Sequence, residues 1–161
     1  VVDLKKHFNK LLIKSRKKIF PSLKQEEIKE VEKRFKEYFN NKYNFNYKKS
    51  VLHADFTIDH IFVDKNNKLS GVIDFGDTGI ADPDYDLIYL PEFDEPFKDY
   101  LKNRKDKNLI RKLNFYLLTA DLQGMFYGLE SENKKKFKRD IKDLKNRLKN
   151  WELGKVEIHP K

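Results

Sequence analysis

The chain has 161 residues, 35 Lys and Arg against 26 Asp and Glu, a net charge of +9 and no cysteine. That length suits a single domain spanning 1–161 with its own core, and the missing thiols exclude disulfides and thiolate metal sites, which makes a reducing, cytoplasmic setting the natural expectation. No apolar run approaches the roughly 18 residues that span a bilayer, and the N-terminus carries no apolar signal core, so no membrane partner is expected.

Leu4, Phe8, Leu11 and Leu12 recur at helical spacing up to about Ile19, where Pro21 closes a first predicted helix. Ser22 stands three residues before Gln25 in a capping-box pattern, and Ile28, Val31, Phe35 and Phe39 then mark a second helix ending near Asn40. The stretch from Asn40 to Asn46 has no clean period and reads as a connection. Val51 and Leu52 lead into a polar loop. Two apolar runs follow, Ile61 to Val63 and Leu69 to Ile73, separated by the turn Lys65-Asn66-Asn67-Lys68, which predicts a short β-hairpin. The pattern from Asp84 to Leu90 can be helical until Pro91, and Pro96 marks another break. A long helix rich in Leu and aromatics is expected from about Asp106 to Glu130, with an interruption near Gly124. A last helix carries Phe137, Ile141, Leu144 and Leu148 on one side. Phe115, Tyr116, Phe126 and Tyr127 are assigned to the core and Trp151 to packing of the last helix. The fold class is mainly α with a small β-hairpin, and catalytic loop and hairpin lie at about 51–77.

The charge is unevenly placed. Between Val51 and Asp99 twelve acids face three bases, so the basic excess lies wholly in the flanking segments. There the lysines are interspersed with Glu and Asp, as on a solvated helical face, and nucleic acid is not the expected partner.

His53-Ala54-Asp55 closes the Val51 strand, His60 follows Asp55 by five residues, and Asp74-Phe75-Gly76 follows the second strand of the hairpin. Two acids and an imidazole thus come to neighbouring strand ends. Phosphoryl transfer needs a carboxylate to orient an attacking hydroxyl and accept its proton, together with hard ligands for Mg²⁺. The order and spacing match the kinase pattern H-R-D-x-x-x-x-N followed by D-F-G, with Ala54 at the Arg position and His60 at the Asn position.

The runs from Val51 to Ile61 and from Gly71-Val72-Ile73-Asp74-Phe75-Gly76-Asp77 through Ile80-Ala81-Asp82-Pro83-Asp84-Tyr85-Asp86-Leu87 resemble the aminoglycoside phosphotransferases. His60, where most of that family has Asn, resembles the 2''-phosphotransferase branch. Motif agreement covers about 40 residues, and the resemblance implies the helical C-terminal lobe of a protein-kinase-like fold. It implies Asp55 as catalytic base, Asp74 as Mg²⁺ ligand, and ATP or GTP as phosphate donor. His60 becomes either the second metal ligand or a residue that orients the loop, because imidazole suits Mg²⁺ less well than oxygen. Asp59, Asp77, Glu92 and Glu95 fall near positions that meet the amino groups of the substrate, and the alternative for each is a solvated acid. His53 and Asp86 are expected to hold the loop by hydrogen bonds. The surplus of acids suits a cationic aminoglycoside.

All six glycines lie after the catalytic loop, so no Gly-rich phosphate loop or Val-Ala-Ile-Lys strand precedes it. The nucleotide-binding N-terminal lobe is expected to be absent, and the isolated chain inactive. The start at Val1, with Met125 the only methionine, agrees with a fragment or a chain lacking its first residues. Competing readings are a related kinase for choline, a sugar or an amino alcohol, a non-catalytic kinase-like scaffold, and a basic nucleic-acid-binding domain.

Overall fold

The computed structural model describes residues 2–93 and 107–151. Helix α1 (Leu4–Lys18) begins at Asp3, whose carboxylate accepts the Lys6 amide at 3.0 Å, and it buries Leu4, Phe8, Leu11 and Leu12. A 3-10 turn at Phe20–Ser22 leads into α2 (Gln25–Asn40). The cap of α2 is not Ser22 as its spacing suggests. The Glu27 carboxylate accepts the Lys24 amide at 2.8 Å, and the chain enters the helix at Lys24 because Ser22 is held in the preceding turn by its own N–H to Ile19 O, 2.8 Å.

Two antiparallel ribbons follow, where one hairpin was expected. Strand β2 (Ile61–Val63) pairs with β3 (Leu69–Val72), Ile61 opposite Val72 and Phe62 opposite Gly71, with a bulge after Phe62. Its turn is tied by the Asp64 carboxylate, which accepts the amides of Asn66 (2.8 Å) and Lys68 (2.9 Å), while Asn67 takes a left-handed φ of 58°. Strand β1 (Ser50–Leu52) pairs instead with β4 (Gly79–Ala81), Val51 opposite Ile80. Only three residues long and preceded by a Gly-containing turn, β4 has too little apolar pattern to announce itself. Val2 N also donates to Ile80 O at 2.9 Å, so the residue before α1 is tied to this ribbon.

The segment Pro83–Phe93 is helical, as the pattern from Asp84 suggests, but in the 3-10 form, and it continues past Pro91 to Phe93. Helix α3 (Lys107–Glu130) then runs without interruption, and α4 (Lys134–Lys149) is capped by Asn133, whose side chain accepts the Lys136 amide at 3.0 Å. Gly124 and Gly128 are not helix breaks. A Cβ on Gly128 would stand 2.9 Å from the backbone N of Phe137, and one on Gly124 would stand 2.5 Å from the Asp140 carboxylate. The two glycines let α4 lie against α3, and Arg147 ties the helices through Asp121 at 2.7 Å. A Gly128→Ala change must push rigid backbone, and we expect it to cost about 1–3 kcal/mol, read as a fall in denaturation midpoint.

The core lies between α1, α2 and α3. Phe8, Phe35, Tyr38, Phe115 and Tyr116 are all buried there, with Tyr38 stacked on Phe115 at 3.7 Å between centroids. Phe126 is buried too, but Tyr127 is 62% exposed and leaves the core assignment, because it falls on the outer side of α3. Trp151 packs half-buried against the core beneath the Arg34 guanidinium, 4.8 Å from its ring. Among the described residues no helix is long and apolar enough to cross a membrane.

Candidate active site

The loop after β1 turns at Ala54, which takes φ 68°, a conformation that costs a non-glycine residue about 1–2 kcal/mol. Strained backbone persists where neighbours fix it, and here they are specific. The Asp86 carboxylate accepts the His53 amide at 2.9 Å and the Ala54 amide at 2.8 Å. The Tyr89 hydroxyl donates to Ala54 O at 2.6 Å. Both backbone groups of the strained residue are therefore held by one 3-10 segment. The contribution of Tyr89 has no local sequence signal, since 35 residues separate it from Ala54.

Next in the chain, Asp55 O accepts the Thr57 amide at 2.9 Å and lies 2.7 Å from His60 Nδ1. A carbonyl oxygen can only accept, so Nδ1 carries the proton and the Nε2 of a neutral ring is left as a lone pair. That Nε2 faces Asp74 Oδ2 at 3.6 Å, and Asp55 Oδ2 lies 3.7 Å from Nδ1. Asp74 follows β3 in a left-handed conformation, φ 61°, opening the 3-10 turn Phe75–Asp77. His53 Nε2 lies 2.8 Å from Ile73 O, and its donated proton joins the two loops; its ring also stands 4.9 Å from that of Phe75. His53, Asp55, His60, Asp74 and Asp86 are thus brought together across two ribbons.

The His60 and Asp74 side chains fit a hard divalent cation. A lone pair and a carboxylate oxygen face each other at 3.6 Å, a separation too long for a shared proton, and a cation between them would satisfy both. Among the described residues no group of three or more His, Asp or Glu could hold a metal. Asp74 supplies the carboxylate that Mg²⁺ favours and the His60 imidazole is the softer donor; waters and phosphate oxygens would complete the shell.

Asp59 and Asp77 are exposed beside this centre, within the turns Ile58–His60 and Phe75–Asp77. Burial, and then the charges of Asp86, Asp77 and Asp55, push the Tyr85 hydroxyl up to about 12. The Tyr89 hydroxyl is raised for the same reasons, with Tyr85 adding to them. The three carboxylates thus lie close enough to these two hydroxyls for their charges to act on them together. Glu92 lies in the 3-10 segment with its side chain outside the described residues, and Glu95 lies outside them altogether.

Residues 8–113 match the sequence model of the phosphotransferase enzyme family, APH. Among solved structures, the chain is similar to the GDP and kanamycin complex of APH(2")-IIia, with a TM-score of 0.82 and 27% identity over 93% of this chain and 53% of that one. It is similar also to the GDP complex of wild-type aminoglycoside 2'-phosphotransferase-IIIa, with a TM-score of 0.78 and 26% identity over 93% and 53% of the two chains. The gentamicin complex of APH(2")-IIa matches with a TM-score of 0.64 and 27% identity over 89% and 52%. The chain spans about half the length of these structures. Its helical architecture, its two small ribbons and its match over residues 8–113 make it a member of the phosphotransferase enzyme family, APH, with part of that family's kinase-like fold.

Proposed function

We propose that the chain is the helical C-terminal lobe of a kinase that transfers the γ-phosphate of ATP or GTP to a hydroxyl of an aminoglycoside. The observation that carries this reading is the meeting of Asp55, His60 and Asp74, with Nε2 of His60 and Oδ2 of Asp74 facing each other at 3.6 Å. Asp55, half-exposed at the end of a braced loop, orients the acceptor hydroxyl and takes its proton as the oxygen attacks phosphorus and the nucleoside diphosphate leaves. Asp74 and His60 would hold Mg²⁺, which supplies charge neutralisation on the phosphates. Asp59, Asp77, Glu92 and Glu95 would meet the ammonium groups of the substrate, and His53 and Asp86 keep the loop in place.

Support for the substrate class comes from the surplus of carboxylates around Asp55, twelve acids against three bases between Val51 and Asp99, and from the relatives solved with kanamycin and gentamicin. A Gly-rich phosphate loop upstream of Asp55 is not among these residues, and in this reading a preceding lobe provides it, leaving residues 1–161 as one domain without turnover of its own.

The complete protein, supplied with ATP or GTP, is expected to add one phosphoryl group to kanamycin or gentamicin, detected by mass spectrometry, and to leave choline and methylthioribose unchanged. The opposite preference would assign it to the related kinases of small alcohols. Phosphorylation of none of the four would remove the kinase reading.

A further inference from the structure

Outside the centre just described, the most heavily buried ionic cluster of the described residues lies under the 3-10 segment Pro83–Phe93. Asp82 is fully buried, and its carboxylate has three partners. Lys112 Nζ of α3 lies 2.5 Å from Oδ2, the Tyr116 hydroxyl donates to the same oxygen at 2.7 Å, and Asp84 N donates to Oδ1 at 3.0 Å. The Tyr38 hydroxyl in turn donates to that of Tyr116 at 3.2 Å. The same ammonium donates to Asp84 Oδ2 at 2.8 Å and is itself only 11% exposed.

We propose that Lys112 is a positioning residue for the Asp55 loop, acting through Asp82 and Asp84; this rests on the function proposed above. An ion pair this deep is poor evidence of stability, since the cost of stripping water from the charges offsets most of their attraction. Its geometry does something else. Lys112 grips residues 82 and 84, the start of a tight 3-10 segment in which Asp86 is only two residues further on. Asp86 holds the amides of His53 and Ala54, and Tyr89 of the same segment holds Ala54 O. Ala54, at φ 68°, does not keep this conformation by preference, so the direction in which Asp55 leaves it depends on the segment. The segment's register depends on the Lys112 ammonium that spans its two leading acids. A shift of under an ångström at a reacting group lowers turnover without loosening substrate, because the lost contacts are those of the transition state.

The test uses the complete protein with Lys112→Met, Lys112→Arg and Lys112→Gln. Lys112→Met is expected to lower kcat about tenfold or more while KM for both substrates stays within about threefold. Lys112→Arg, which restores a cation able to bridge two carboxylates, is expected to recover most of that loss. Amide hydrogen exchange at His53 and Ala54 should be faster in Lys112→Met than in the parent, and should return toward it in Lys112→Arg. A folded Lys112→Met protein with unchanged kcat and unchanged exchange overturns the proposal, as does a rise in KM at constant kcat. Should Lys112→Met fail to fold, Lys112→Gln decides. It keeps a polar side chain and removes the charge that pairs with Asp82 and Asp84; a severalfold drop in kcat with faster exchange at Ala54 upholds the proposal, and parent-like values of both overturn it. If the parent phosphorylates no substrate, the kinase reading fails by itself, and the exchange measurement still decides whether Lys112 braces the loop.

Discussion

Asp55→Asn in the complete protein is expected to lower kcat by about a thousandfold with little change in KM for the aminoglycoside. Asn keeps the size and leaves the surrounding bonds intact, because the loop is held through backbone atoms: His53 N, Ala54 N and Ala54 O to the 3-10 segment, and Asp55 O to His60 and Thr57. What Asn cannot do is take a proton from the acceptor hydroxyl. The negative field of the site would drop by one charge among several, so binding of a polycation should weaken only modestly. Steady-state kinetics separate these effects, and calorimetric titration with kanamycin checks that binding survives. A variant that keeps parent-like turnover would show that another group accepts the proton. A scaffold without catalysis would show no phosphorylation in either form.

Phe8→Ala is expected to cost about 3–5 kcal/mol, a large part of the 5–15 kcal/mol that holds a typical domain together. Phe8 is wholly buried, and its ring meets Phe115 edge-on at 5.3 Å, Tyr38 at 6.1 Å and Tyr116 at 5.8 Å. One side chain of α1 thereby joins α2 and α3. The surrounding rings are rigid and already pack on one another, so they collapse poorly into the space left behind, and the cavity contribution is large. The Tyr38 and Tyr116 hydroxyls beside it lead to Asp82, so the loss should be felt beneath the site as well as in global stability. Urea denaturation followed by circular dichroism measures the change, and a shift below about 1 kcal/mol would mean that the core refills.

The parts of the fold that could be read directly were those with a strong local period. The ends of α1 and α2, the β2–β3 ribbon with its Asn turn and the span of α3 all follow from apolar spacing and from Pro and Asn punctuation. The local pattern is overridden where a neighbouring turn or another element claims the residue. Ser22 offered a cap and was captured by the turn before it. Gly124 looked like a break until the Asp140 side chain of the facing helix explained why no Cβ is present. Tyr127 carried an aromatic into the core pattern but lies on the exposed side of α3.

For the site, the sequence alone determined which groups are present and in what order: His53, Asp55, His60 and Asp74, at spacings that only a short loop and a tight ribbon satisfy. Local spacing could carry that much because the residues lie within about two turns and one hairpin of each other. The tertiary structure decided how they face one another. It set the tautomer of His60 through Asp55 O, placed two acceptor atoms opposite each other at Asp74, paired β1 with β4, and held the strained Ala54 from a segment more than thirty residues away. It also delivered Lys112 to Asp82 and Asp84. No pattern along the chain encodes that contact, because a buried charge declares its partner only when burial removes the water that would otherwise serve it.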